Sequence, residues 1–476
     1  MGPVLLNRLT DLSAERGEPL AVQLYRDLLG AIRSGSLPSA ARLPSSRVAA
    51  AELGLSRNTV NSAYDLLKAE GAVTVRPGAA PEVAELPVAA ALPVLPVPAT
   101  ALSARGMGWA AGGRERSRSA IMAPGQPDEA LFPRDEWARL LRRVARQGHG
   151  GAFGYEHYRG LPRLREVLAR RLAADRGMVV SADQILITPG AQASLTLLAL
   201  TLAERGDRAL IEDPGYAGAR NAFRGAGLVM ETLPVDDDGA NPAGASDARL
   251  IYLTPANQYP FGKRMSLARR EAVIARARAC DGLIIEDDYD SEFLWQGRQL
   301  AALLVQAPER VLTLGTAAKA LMPGLRLGWI VAPKALASAL ADAQRNLGLA
   351  VNVHAQAAFA DMIDEGRYRA QLMRIARIYG ERGRAFAMAL RAVPGVRAED
   401  PAGGVQLAVH LRDAATEAAA VGALNAAGFG VAPLSSYCLG PPRSGLVAGF
   451  AEATPERVAR FVMVLRQALV QAKSDL

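Results

Sequence analysis

Lysine is the scarce cation of this chain. Only five occur in 476 residues, at Lys68, Lys263, Lys319, Lys334 and Lys473, within a combined Lys and Arg count of 55. Cysteine is rarer still. Cys280 and Cys438 lie too far apart in sequence to form a metal or redox spacing, which excludes a disulfide framework and reads as packed free thiols of a reducing compartment. There is no apolar run long enough to span a bilayer and no signal-peptide layout at the start, so a cytoplasmic location without membrane contact is expected. A net charge of +8 permits nucleic-acid contact without requiring it. Residues 1–80 carry nine basic and seven acidic side chains, a balance of +2, so charge alone singles out no nucleic-acid-binding segment. Half of the residues are hydrophobic, and the length exceeds what one core organises, so two or three folded domains are expected.

Residues 1–80 read as one small helical domain. Leu20, Leu24, Leu28 and Ile32 recur at helical spacing before Gly35. Ser45-Ser46 start a second helix that Gly54 breaks, and Ser56 caps a third with Val60, Tyr64 and Leu67 on its inner stripe, ended by Gly71. Ala72–Arg76 is a short strand candidate turned by Pro77-Gly78. Helix, turn, helix and wing is a DNA-binding outline. It places Ser56, Arg57, Asn58 and Thr59 at the start of the recognition helix, with Arg47 on the helix before it as a further contact. On pattern alone, a helical bundle with solvated arginines fits equally well.

Residues 81–118 change texture to Pro, Ala and Val, which favours an extended, semi-rigid linker. Over 119–476 apolar strands alternate with helices. The strands are expected at Ile185–Thr188, Ala209–Glu212, Leu250–Thr254, Leu283–Glu286, Val311–Leu314 and Trp329–Val331, and the helices at Leu161–Arg176, Ala191–Ala203 and Leu267–Ala279. This is an α/β class with a mostly parallel sheet, followed from about residue 346 by a smaller α+β subdomain.

Lys319 follows an apolar strand and Gly315-Thr316 amid apolar neighbours, where burial can make it a Schiff-base nucleophile. Asp287, in IIEDDYDSEF, falls at a strand end where it can hold a pyridine nitrogen protonated, with Tyr289 able to donate to a ring hydroxyl. Tyr216, in EDPGY, is placed to stack on a ring. Gly190, Ala191 and Gln192 open a helix whose N–H groups suit a phosphate, and Thr316 and Arg326 can complete that cradle. Lysine, ring-nitrogen partner, stacked aromatic and phosphate cradle are what pyridoxal 5'-phosphate (PLP) requires of a protein. Taken singly, a tyrosine after a strand is equally a packing residue, and an acidic cluster is equally a solvated loop start.

The wording of these segments is more specific than their pattern. RLPSSRVAAAELGLSRNTVNSAYDLLKAEG closely resembles the helix-turn-helix of GntR-type bacterial repressors, a match that runs from Pro19 to Gly71. PGQPDEALFP, RGLPRLREVLARRL, IEDPGYAGAR and TPANQYPFGKRMS resemble fold-type I aminotransferases from about Ala123 to Ala451. The two joined together resemble the MocR/GabR regulators. That resemblance implies operator DNA as partner, PLP bound on Lys319, and a small amine, an amino acid or PLP itself as effector. It also implies a head-to-tail homodimer, in which Tyr155 reaches the phosphate of a neighbouring subunit. Two rivals stay open: a working aminotransferase with an autoregulatory head, and a regulator whose core has lost PLP.

Several residues depart from the family wording. Gly315-Thr316-Ala317-Ala318-Lys319 replaces Gly-Thr-Phe-Ser-Lys and so loses a hydroxyl. His157 and Tyr158 replace Asp-Pro, Asn257 stands where the subfamily often has His, and Pro77–Pro81 lacks the usual wing turn. Leu446–Phe450 carries no arginine for a substrate carboxylate, with Arg443 the nearest candidate.

Overall fold

The leucine spacing of the first segment closes into three helices. These are α1 (Leu20–Arg33), α2 (Ser46–Leu53) and α3 (Arg57–Ala69), whose inner faces share one core with Leu24, Leu28, Val60 and Leu67 fully buried. The turn between α2 and α3 is set by chemistry visible in the sequence. Gly54 takes the left-handed conformation at φ 66°, and the Ser56 hydroxyl accepts the Thr59 N–H at 3.1 Å to cap α3. Two short antiparallel strands follow, β1 (Val73–Thr74) and β2 (Glu82–Val83), paired Val73 with Val83. They are shorter than the expected Ala72–Arg76 strand, and its turn at Pro77-Gly78 lies outside the described residues.

This computed structural model describes residues 6–13, 17–76, 79–85, 102–111, 120–147, 157–296 and 299–474, and divides into two units, Met1–Ala101 and Leu102–Leu476. The second unit runs α4 (Ala104–Ala111), α5 (Arg134–Gln147), α6 (Pro162–Arg176), β3 (Ile185–Thr188), α7 (Ala191–Leu202), β4 (Arg208–Asp213), α8 (Ala217–Ala226), β5 (Val229–Asp236), β6 (Gly239–Ala240) and β7 (Leu250–Leu253). It continues with α9 (Leu267–Ala279), β8 (Leu283–Asp288), β9 (Val311–Thr316), β10 (Gly328–Val331), α10 (Lys334–Asn346), α11 (Val353–Asp364) and α12 (Arg367–Arg391). It closes with β11 (Arg397–Ala398), β12 (Gln406–His410), α13 (Ala414–Ala426), β13 (Ala432–Pro433), β14 (Gly445–Gly449) and α14 (Pro455–Ser474).

The large sheet has the order β3-β10-β9-β8-β7-β4-β5-β6. Strands β5, β4, β7, β8 and β9 are parallel, joined through crossover segments. Strand β10 is antiparallel to both neighbours, because the short Ala317–Leu327 connection holds no crossover helix and turns the chain straight back. One face of the sheet packs on α7, α8 and α10, the other on a core shared with α5, α6 and α9. Strand β5 was not expected. It lies near the sheet edge with only Leu233 and Val235 of its eight residues buried and carries Pro234, so it shows no continuous apolar run. A second sheet, β11-β12-β14-β13, is antiparallel and belongs to the C-terminal part. Among the described residues no helix is long and apolar enough to cross a membrane.

Within the stretch expected as linker, α4 forms a helix that docks on α8. The Trp109 indole N–H donates to the Asn221 carbonyl at 3.3 Å, and a Cβ at Gly225 would overlap that indole. Any side chain at 225 therefore displaces Trp109. The expected outcome for Gly225→Leu is a shift in tryptophan fluorescence and faster tryptic cleavage at Arg105, with the fold otherwise retained. Unchanged cleavage would mean that α4 is not held by this contact.

Candidate functional site

Parallel strands present their C-terminal ends to one crevice, and ligands of open α/β sheets sit there. At the ends of β4, β7, β8 and β9 a cavity of about 250 Å³ opens. All the candidate cofactor residues that the structure describes line it: Gly190, Ala191, Gln192, Tyr216, Asp287, Tyr289, Thr316, Lys319 and Arg326. Tyr155 lies outside the described residues.

Lys319 sits on the turn after β9, its Nζ donating to the Gly125 carbonyl at 2.5 Å. Asp287, near the end of β8, is 5% exposed and accepts a hydrogen bond of 2.7 Å from the Tyr252 hydroxyl. Burial pushes its carboxyl up to about 6, opposed by the Tyr252 hydrogen bond. Glu212, at the end of β4, is pushed up to about 7 by burial, although Thr254 and Gln258 donate to it. A cationic ring nitrogen at Asp287 would restore the charged form of that carboxylate.

The other end of the cavity suits an anion. No side chain caps α7, so the N–H groups of Ala191 and Gln192 open its positive end. Gly190, at φ 92°, holds a backbone conformation that favours glycine, and a Cβ there would make ordinary contact with the Arg326 guanidinium at 3.6 Å. Arg326 itself adopts a left-handed φ of 49°. The Thr316 hydroxyl is committed locally, accepting from the Ala318 N–H at 3.1 Å and reaching toward the Leu327 carbonyl. Ala318 lines the cavity and offers it only a methyl group.

Tyrosines form the remaining wall. Tyr216, the N-cap residue of α8, packs edge-on to Tyr259 at 5.6 Å, which meets Tyr289 at 5.9 Å. The Tyr289 hydroxyl donates to the Asn257 carbonyl at 3.0 Å and accepts from Gln406 at 3.1 Å. Asn257 in turn donates to the buried Asp290 at 2.7 Å. Tyr252, Tyr259 and Gln406 were not anticipated. Tyr252 had a legible signal, as the one hydroxyl-bearing aromatic in a buried strand next to β8. Gln406 lies 117 residues from Tyr289 and had none. Of the departing residues, Tyr158 lies under Arg345 at 5.8 Å. Arg443 is turned out of the cavity: it donates to the Val235 carbonyl at 3.1 Å and rides over Phe261.

In the head, Arg47 on α2 and Ser56, Arg57 and Asn58 at the start of α3 are exposed and Thr59 is half-buried, whereas Val60, Ala63 and Leu67 of α3 are buried. The Ser56 hydroxyl is engaged in the cap and in a 2.8 Å contact with the Thr59 hydroxyl, so Arg57 and Asn58 present the open polar surface.

A buried aspartate, a strand-end lysine and an uncapped helix start in one cavity fit PLP, and together with the sheet they define a PLP-type aminotransferase fold preceded by a helix-turn-helix head. Comparisons agree. Residues 123–465 match the family "Aminotransferase class I and II", and residues 20–83 match "Bacterial regulatory proteins, gntR family". The "Probable rhizopine catabolism regulatory protein MocR" of Rhizobium meliloti is 36% identical, covering 98% of this chain and 96% of that protein. The "HTH-type pyridoxine biosynthesis transcriptional regulator PdxR" of Corynebacterium glutamicum is 31% identical, covering 91% and 92%. Among solved structures, the α-aminoadipate aminotransferase LysN of Thermus thermophilus superposes with a TM-score of 0.69 at 25% identity, covering 78% of this chain and 98% of that one. The chain belongs to the MocR-type regulators, in which a GntR head is joined to an aminotransferase class I and II domain.

Two predictions follow from the cavity. Ala318→Ser adds a donor beside the anion-binding end and is expected to tighten PLP binding roughly tenfold, about 1.5 kcal/mol for a hydrogen bond to a charged group, read by titration of the visible absorption. The second concerns pH. Asp287 binds its proton more tightly folded than unfolded, so its contribution is fully present below its ordinary value of 3.8 and is lost as pH rises through about 6. Asp287→Asn keeps an acceptor for Tyr252 and removes that loss. Without cofactor, the variant is expected to exceed the parent by up to about 3 kcal/mol above pH 7, with little difference at pH 4, and to bind PLP far more weakly. Urea unfolding at both pH values checks it.

Proposed function

We propose that this chain is a PLP-dependent transcription regulator whose core senses an amine and thereby changes how strongly its head holds an operator. The observation that carries this reading is the presence in one polypeptide of a helix-turn-helix with Arg57 and Asn58 exposed and a cavity lined by Lys319, Asp287 and Arg326. When bound, PLP supplies an aldehyde that condenses with primary amines and an electron-poor ring.

The chain's residues divide the work of holding it. Lys319 would be the attachment point, and Asp287, held by Tyr252, would serve the ring nitrogen. Tyr216 would serve the ring and Tyr289 its hydroxyl, and Arg326 and the start of α7 at Gly190, Ala191 and Gln192 would hold the phosphate, with Thr316 beside them. In the head, Arg47, Arg57, Asn58 and Thr59 contact DNA, with Ser56 holding the helix start. On the family resemblance, the protein is a cytoplasmic head-to-tail homodimer, and Tyr155 serves the neighbouring subunit. We divide it into a DNA-binding region 1–80, a linker 81–118 and an effector region 119–476, with β2 of that linker paired onto β1 of the head and its α4 docked on α8.

The names of the two relatives point to different pathways, rhizopine catabolism and pyridoxine biosynthesis, so the effector has to come from this chain's own cavity. Whatever it is, it acts only through different affinities for two arrangements of the protein.

The test uses the full chain and an operator located by footprinting. The expected results are a visible absorption band with PLP that Lys319→Ala abolishes, and an operator affinity that responds to an amine in the parent and not in that variant. Arg57→Ala is expected to weaken operator binding by about 1–3 kcal/mol while the band persists. A protein that stays colourless with added PLP, or that turns over amino groups onto a keto acid at ordinary enzymic rates, overturns the reading.

A further inference from the structure

Taking the cavity as the PLP site of the proposed function, we infer that the ligand it selects is a primary amine that carries no carboxylate. Among the described residues, Lys319 and Arg326 are the only cationic side chains in its wall. Both have work assigned. Lys319 is the attachment point, and the Arg326 guanidinium lies against Gly190 at the start of α7, the anion-binding end.

Nearby arginines of the same unit are aimed elsewhere. Arg443 bonds the Val235 carbonyl and covers Phe261, whose ring also meets His410 at 5.5 Å, so it belongs to a separate cavity of about 130 Å³. Arg220 is spent on the carbonyls of Ser436 and Cys438, at 2.6 and 3.3 Å. What remains of the wall is hydroxyl, amide and aromatic: Tyr216, Tyr252, Thr254, Tyr259, Tyr289 and Gln406.

A ligand carboxylate placed there gives up its hydration and finds no guanidinium left to pair with among the described residues. An amine tail meets the opposite conditions. The rings of Tyr259 and Tyr289 offer a surface to an ammonium or aliphatic group, and the Gln406 amide can satisfy a neutral polar group. Ligand selection therefore runs against amino acids and toward amines with neutral or cationic tails.

Matched pairs that differ by one carboxylate test this: putrescine against ornithine, and agmatine against arginine. The PLP-loaded full-length protein is titrated with each, following the visible absorption and operator affinity. The expected result is a half-saturating concentration at least tenfold lower for the amine in both pairs. Gln406→Arg, which puts a guanidinium into the same wall, is expected to move the preference toward the amino acids. Amino acids that act at equal or lower concentrations than their amines overturn the inference and leave the amine-sensor reading standing. If neither member of either pair changes absorption or operator affinity while PLP stays bound, both fall.

Discussion

The cavity depends on keeping a row of carboxylates out of water at the end of β8. An isolated buried carboxylate is strongly unfavourable, so each must have a partner in place before the strand end can pack. Glu286 accepts from the Leu303 N–H and the Thr313 hydroxyl, Asp287 from Tyr252, and Asp290 from Asn257. Asp288 pairs with Arg176 at 3.1 Å, and Glu292 with Arg171 and the Tyr368 hydroxyl. The alternation of a strand sorts these roles. Ile284 and Glu286 face the core shared with α6, whereas Ile285 and Asp287 face the side of α7 and α8 and Tyr252. A run of acidic residues that looks in sequence like a solvated loop is thus split between two jobs. Glu286, Asp288 and Glu292 brace the strand end on α6, Asp290 engages Asn257, and Asp287 is left to the cavity.

That sorting explains what the sequence disclosed and what it withheld. Lys319, Asp287, Tyr216 and the Gly190 turn stand at ends of apolar strands, where the α/β pattern alone says a side chain will reach the crevice. The boundaries of β3 and α9 were legible for the same reason, being apolar runs closed by breakers or by the capping Ser266. Strand β5 was hidden by its place near the sheet edge. Gln406 was hidden because its importance lies in a partner, Tyr289, that only the folded chain brings near. The helices of the head were legible almost residue for residue, since Ser56 and Gly54 act locally. Its DNA preference was not, because polar residues at a helix start do not specify bases until they meet them.

The C-terminal part is not a passive cover. Gln406 of β12 donates to the Tyr289 hydroxyl, and the N–H groups of Leu439 and Gly440 bond the Asp213 carboxylate at the end of β4 at 2.7 and 2.9 Å. These directional contacts add to apolar packing across the same boundary, where Tyr259 meets Leu434, Tyr437 and Val447.

Helix α8 gathers these constraints into one rigid element. At its start stands Tyr216, in the wall of the cavity. One turn on, Arg220 holds the Ser436 and Cys438 carbonyls of the C-terminal part, and at its end Gly225 makes room for Trp109 of α4. A helix of ten residues with both faces engaged does not bend to let these three points move separately. Tyr216, Arg220 and Gly225 thus bring the cavity wall, the C-terminal part and α4 of the connector to one helix.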